Sequence, residues 1–153
     1  MRNKKALWVS ILIAEAVGSI SALFVRGETD WYKELNRPPA APPSWLFPVV
    51  WGILFLLMGI AAYRVYLTEH LGKGVALWIY GISLAVNFLW PLFFFRLKLL
   101  GFSAIWLALL LVLVLLTWRR FSGIDRVAGN LLIPYLLWLA FALYLNIGIW
   151  ALN

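Results

Sequence analysis

The sequence contains no cysteine, which excludes disulfides, thiolate metal sites and thiol nucleophiles. It has one histidine, His70, and a lone imidazole next to Glu69 in a short loop cannot assemble a metal centre. Charge is scarce: Asp, Glu, Lys and Arg make up 12% of the residues, against about 25% in an ordinary soluble domain. Of the six carboxylates, only Glu15 lies deep within an apolar run. No Ser/His/Asp set, no pair of in-membrane carboxylates and no glycine-rich phosphate loop is present. No obligatory cofactor is expected, and any chemistry must be carried by a ligand that the protein positions.

Apolar residues are abundant. They make up 65% of the 153 residues, with ten tryptophans and a mean hydropathy of +0.93. A soluble fold of this length cannot hide that much apolar surface, so its solvent must be lipid. Crossing a hydrocarbon layer of roughly 30 Å takes about 20 apolar residues, and five windows qualify, at about 6–25, 45–67, 75–95, 100–118 and 128–150. The expected fold is all-α, a single domain over residues 1–153 forming an integral membrane bundle of five transmembrane helices. The first window has a basic start (Arg2, Lys4, Lys5) and an Ala14-Glu15-Ala16 pattern like a signal-peptide cleavage site. Hydrophobicity resumes through Phe24 and Val25, which favours a retained span.

The net charge of +7 sits in short connections, where it reads as a topology signal and as contact with lipid headgroups rather than with nucleic acid. With the N-terminus inside, the inner side holds Arg2, Lys4, Lys5, Arg64, Lys73, Arg119, Arg120 and Arg126. The outer side holds Arg26, Lys33, Arg37, Arg96 and Lys98. This excess favours N-terminus inside and C-terminus outside, in a membrane expected to be a prokaryotic cell membrane. The long first loop, about 26–44, then lies outside.

That loop leads into the stretch WYKELNRPPAAPPSWLFPVVWG, Trp31 to Gly52, which holds five of the seven prolines. Adjacent prolines lower the ordering cost of a loop, and unpaired backbone near lipid is costly. A packed lid is therefore expected, with Trp31 and Tyr32 on its underside. Beneath it, Trp51 lies about 9 Å below the outer end of its span, Asn87 and Ala142 about 12 Å and Trp138 about 18 Å, by helical rise. Phe47, Trp51 and Phe55 share one helix face, as do Asn87 and Trp90, and as do Pro134, Trp138, Ala142 and Asn146. Converging stripes of this kind wall a cavity suited to a large flat ligand. The same stripes also serve ordinary helix packing, with Asn87 as an interhelical hydrogen bond, and spacing alone leaves both open.

The order WYKELNRPPAAPP, VVWGILFLLMGIAAY, NFLWPLFFF and DRVAGNLLIPYLLWLAFALYLN resembles the TspO/MBR translocator-protein family over about residues 31–146. The resemblance implies a five-helix bundle that often dimerises and binds porphyrins such as protoporphyrin IX, other tetrapyrroles and, in some members, sterols. Sensing, transport and light-dependent porphyrin breakdown are the roles it suggests. It implies that Tyr32, Pro42 and Pro43 cap a pocket lined by Trp51, Phe55, Asn87, Trp90, Trp138 and Ala142. Trp51 and Trp138 become the candidates for any photochemistry. Two departures stand out. Pro38-Pro39-Ala40 occupies the place of a Pro-Ser-Trp element, and the chain ends LNIGIWALN without the aromatic-then-basic pattern proposed for cholesterol, which argues against a sterol.

Two stripes of small residues allow close helix approach: Ala14, Gly18 and Ala22 on the first span, and Gly81 with Ala85 on the third. The resemblance makes Gly81 and Ala85 the candidate homodimer seam. Glu15 has no evident partner within the spans and is expected either protonated or facing a water-filled gap.

Overall fold

The computed structural model describes residues 4–153. Helix α1, Lys4–Ser21, runs into a 3-10 turn, Ala22–Phe24. A short helix α2, Thr29–Glu34, stands in the long loop before α3, Leu46–Leu67. Helix α4, Lys73–Pro91, ends in a π-helical turn, Leu92–Arg96, and α5, Leu100–Ile124, and α6, Arg126–Leu152, complete the chain. Five helical stretches, Lys4–Phe24, Leu46–Leu67, Lys73–Arg96, Leu100–Ile124 and Arg126–Leu152, are long and apolar enough to cross a membrane. The protein is an integral membrane protein of five spanning helices.

Helices α5 and α6 have 25 and 27 residues, longer than the apolar windows inside them. Hydropathy locates the lipid, whereas a helix continues until its backbone bonding is broken. Arg119 and Arg120 therefore stay helical, and the break falls at Asp125, whose backbone is extended at φ −147° and ψ 115°. The early start of α6 also places Pro134 well inside a helix rather than in its first turn. Pro48 does fall in the first turn of α3, where its missing N–H removes no helical bond.

The five long helices close into a ring: α1 packs on α3, α3 on α6, α6 on α5, α5 on α4, and α4 back on α1. Lipid tails are as apolar as leucine, so close packing and interhelical hydrogen bonds rather than the hydrophobic effect hold such a ring together. Gly59 shows the packing, since a Cβ placed there would lie 2.6 Å from the Ile11 Cα. The same contact is sealed by Ser10 Oγ, which donates to the Gly59 carbonyl at 2.7 Å.

The two ends of the ring differ. Away from the long loop, the interior is filled by Met58, Val65, Val114, Phe121 and Leu132, all essentially inaccessible, with Tyr80 against Phe121 at 5.8 Å. At that end Arg64 and Asp125 form an ion pair that ties α3 to the α5–α6 turn. The Arg64 hydrogen bond holds the Asp125 carboxyl below the ordinary carboxylate range. At the loop end, the interior is hollow.

An aromatic cavity under a pinned loop

The hollow is a cavity of about 720 Å³. Phe47, Trp51 and Phe55 from α3 all line it, as their four-residue spacing requires. Trp51 leans on Phe55 with ring centres 5.6 Å apart and meets Tyr135 edge-on at 6.1 Å. Gly18 of α1 makes this arrangement possible, because a Cβ there would sit 2.5 Å from the Phe55 ring. From α6, Trp138, Ala142 and Asn146 line the opposite side, and Trp138 meets Phe47 edge-on at 5.7 Å.

Helix α4 supplies the polar groups. Asn87 lines the cavity and donates its amide N–H to the Tyr135 hydroxyl at 2.6 Å. Trp90 donates its indole N–H to Asn146 Oδ1 at 3.0 Å, and Asn146 Nδ2 donates to the Leu100 carbonyl at 2.9 Å. One asparagine thus fixes the Trp90 ring and staples α6 to the start of α5. Pro91 follows directly, and the chain continues as the π turn that stacks Phe94 on Trp90 at 5.1 Å. The indole N–H of Trp138, by contrast, is buried without a partner.

The loop between α1 and α3 lies packed over the cavity. Tyr32 on α2 is only 4% exposed, lines the cavity and meets Phe47 edge-on at 6.0 Å. Burial pushes the Tyr32 phenol above its ordinary pKa, with Arg37 opposing; the guanidinium lies over the ring, 5.2 Å from its centre, and the hydroxyl has no partner. Trp31 packs edge-on against Phe94 at 5.9 Å.

Polar ties pin the loop down. The Tyr144 hydroxyl donates to the Pro39 carbonyl at 2.8 Å, and Asn153 Nδ2 donates to the Asn36 carbonyl at 2.8 Å. Arg96 donates to the Leu23 and Arg26 carbonyls at 3.0 and 3.3 Å. Lys98 pairs with Glu28 at 3.1 Å and lies over the Trp31 ring, 5.2 Å from its centre. Ala40 takes a left-handed backbone, φ 72°, between the Pro39 tie and the next prolines, so the loop stores local strain.

Of the residues singled out from the sequence, Tyr32, Trp51, Phe55 and Asn87 are brought together on the cavity wall, as are Trp90, Trp138 and Ala142. Pro42 and Pro43 are not on that wall; the cap is made by Tyr32 and Ser44 on either side of them. The prolines shape the loop, and its aromatic side chain makes the contact. Trp45, just after the loop prolines, is 65% exposed and does not line the cavity. Gly81 and Ala85 lie on an exposed face of α4 away from the cavity. Spacing also passed over Phe94, although it stands four residues after Trp90, because a π turn carries it. Glu15 and Arg26 are charged residues on the wall that no stripe announced. The cavity opens between the loop ends of α1 and α3, where the lining residues Ser19, Ala22 and Pro48 are exposed.

A closed ring of spanning helices, hollow in one half and roofed by a pinned aromatic loop, defines a small membrane protein organised around an internal aromatic chamber. The chain belongs to the TspO/MBR family, whose profile matches residues 10–151. It is 36% identical to the tryptophan-rich protein TspO of Chlorobaculum tepidum, over 99% of each chain. It is 35% identical to the tryptophan-rich sensory protein of Cereibacter sphaeroides, over 97% of this chain and 92% of that one. It is 34% identical to the translocator protein of Homo sapiens, over 95% of this chain and 91% of that one. Membership and names together support a membrane sensor or transporter.

Proposed function

We propose that the protein is a membrane receptor or sensor that binds porphyrins, tetrapyrroles of the protoporphyrin IX type, in the chamber beneath its loop. The supporting observation is a cavity of about 720 Å³ walled by Trp51, Trp90 and Trp138 from three different helices. Ligand sites commonly span about 300–1,000 Å³, with apolar walls and a few polar groups that set orientation. Flat macrocycles gain most from ring faces and edges, which is the surface these indoles offer. Charge sets the direction: Glu15 on the wall repels propionates, whereas Arg26, at the junction with the loop, attracts them. The carboxylate edge of the porphyrin accordingly faces the loop and the macrocycle lies inward. A sterol is disfavoured because the stretch LNIGIWALN lacks the aromatic-then-basic pattern.

The excess of Lys and Arg on one side of the bundle favours the N-terminus inside, which would put the chamber in the outer leaflet of a prokaryotic cell membrane. The exposed face of α4 carrying Gly81 and Ala85 is proposed as the homodimer seam, small residues there allowing close backbone approach. Cross-linking of cysteines introduced at those two positions tests it, and absence of a dimer band in membranes rejects it.

Titration of protoporphyrin IX against the wild type and Trp138→Phe, read by quenching of tryptophan emission, tests the binding proposal. Saturable quenching weakened in the variant supports it, and equal weak quenching in both rejects it. Trp51 and Trp138 would both stand beside the pigment, which keeps light-dependent porphyrin degradation as the second reading. A new pigment formed under light by the wild type alone favours that reading, and bleaching equal to that in empty detergent excludes it. Porphyrin flux into liposomes would mark a transporter instead.

A further inference from the structure

Among the described residues, Glu15 is the one carboxylate on the cavity wall. It stands mid-way along α1 and shares a helical face with Gly18, Ser19 and Ala22, which all line the cavity. Among the described residues, no Lys, Arg or His pairs with it, since the ion pairs are Arg64–Asp125, Arg96–Glu28 and Lys98–Glu28. The other charged lining residue, Arg26, lies eleven positions further on, beyond the end of α1 and the turn that follows it, and forms no ion pair with Glu15. One turn above Glu15, the missing side chain of Gly18 brings the Phe55 ring against the α1 backbone, and Trp51 leans on that ring at 31°.

The wall therefore presents an unpaired carboxylate one helical turn from the Gly18–Phe55 contact, in a chamber that is otherwise mostly apolar and also lined by the Phe55 and Trp51 rings. A carboxylate inside a spanning helix is rarely retained without a partner. Small hydrated ions gain little from an apolar chamber. A cation buried among its own aromatic groups sheds little water, and it gains from both the carboxylate and the ring faces. We propose that the chamber is also a binding site for lipophilic aromatic cations, amphiphiles with a single positive charge carried among aromatic rings, and that Glu15 selects their charge. The site needs only the cavity and Glu15, and stands or falls separately from porphyrin binding.

Tetraphenylphosphonium serves as the probe, with the full chain in lipid nanodiscs and bound probe measured by equilibrium dialysis. The wild type is expected to bind saturably at one site per chain. Glu15→Gln is expected to weaken binding at least ~10-fold, and Glu15→Asp, which keeps the charge, to stay within ~3-fold of wild type. Triphenylphosphine oxide, similar in shape but neutral, is expected to compete at least ~10-fold less well on the wild type. That comparison needs no variant and decides the matter if Glu15→Gln fails to fold, as judged by helicity and gel filtration. Equal binding by folded Glu15→Gln, equal competition by the neutral compound, or only non-saturable partitioning overturns the proposal. Protoporphyrin IX is titrated in parallel on the wild type. Porphyrin binding without cation binding sinks this inference alone, and cation binding without porphyrin binding sinks the tetrapyrrole proposal alone.

Discussion

Asn146→Leu is the sharpest probe of how the chamber is held open. Asn146 is 1% exposed and makes two interhelical bonds, accepting from the Trp90 indole at 3.0 Å and donating to the Leu100 carbonyl at 2.9 Å. Side-chain hydrogen bonds between membrane helices contribute on average about 0.6 kcal/mol each and reach about 1.7. Two such bonds give roughly 1–3 kcal/mol, and stranding the indole N–H away from water adds to the upper half of that range. Leu100 opens α5, so its carbonyl keeps an intrahelical role and its share of the loss is the smaller one. A cost of about 2 kcal/mol is expected, read from reversible unfolding in mixed detergent micelles. The double-mutant cycle isolates the indole bond: in a Trp90→Phe background there is no N–H to strand, so Asn146→Leu should cost about 1 kcal/mol less. An equal cost in both backgrounds, or a total below about 0.3 kcal/mol, would refute the assignment of Asn146 as the staple.

Three further outcomes follow from other parts of the molecule. Gly18→Ala places a Cβ 2.5 Å from the Phe55 ring and pushes that ring into the chamber; a loss of about 1–3 kcal/mol in the same unfolding assay is expected, together with weaker protoporphyrin IX binding. Glu28→Gln removes the partner of Lys98 at 3.1 Å and of Arg96 at 3.8 Å; these pairs are partly exposed, so global stability should change by less than about 1 kcal/mol, while amide exchange in residues 29–45 should speed up. Because Arg64 holds the Asp125 carboxyl below the ordinary range, that pair stabilises the fold above the ordinary aspartate range and stops doing so as pH falls through the lowered value. The wild type should therefore exceed Asp125→Asn in stability near neutral pH, with the gap closing in strong acid; a gap independent of pH would contradict the pairing.

The spans were legible because hydropathy is summed over some twenty residues, which makes the pattern robust to single substitutions. The cavity stripes Phe47/Trp51/Phe55 and Trp138/Ala142/Asn146 were legible because each stays within one regular helix, where four-residue spacing fixes the face. Reading weakened where that regularity ended. Phe94 was missed because a π turn rotates the chain just after Pro91, and the four-residue rule is blind to that rotation. Pro42 and Pro43 were placed over the chamber by the family resemblance, and an irregular loop has no period from which to read side-chain direction; Tyr32 on the unforeseen α2 lines the cavity there. Pro134 shares the face of Trp138 and Ala142, as its spacing requires, but lies inside α6, which begins at Arg126, ahead of the apolar window. The Trp90–Asn146–Leu100 relay joins three helices far apart in sequence, and only tertiary placement reveals such a set of partners.

The most direct test of the chamber fills it. Ala142 lines the cavity, is 7% exposed, and lies one turn beyond Trp138. Ala142→Trp occupies space that a macrocycle needs while leaving the loop and its ties untouched. Protoporphyrin IX titrated into detergent-solubilised wild type should produce a saturable Soret shift at one pigment per chain, and the filled variant should bind at least ~10-fold more weakly at unchanged helicity. Equal Soret titrations from the two proteins would mean that the pigment binds elsewhere, and the internal chamber would lose its role as the site.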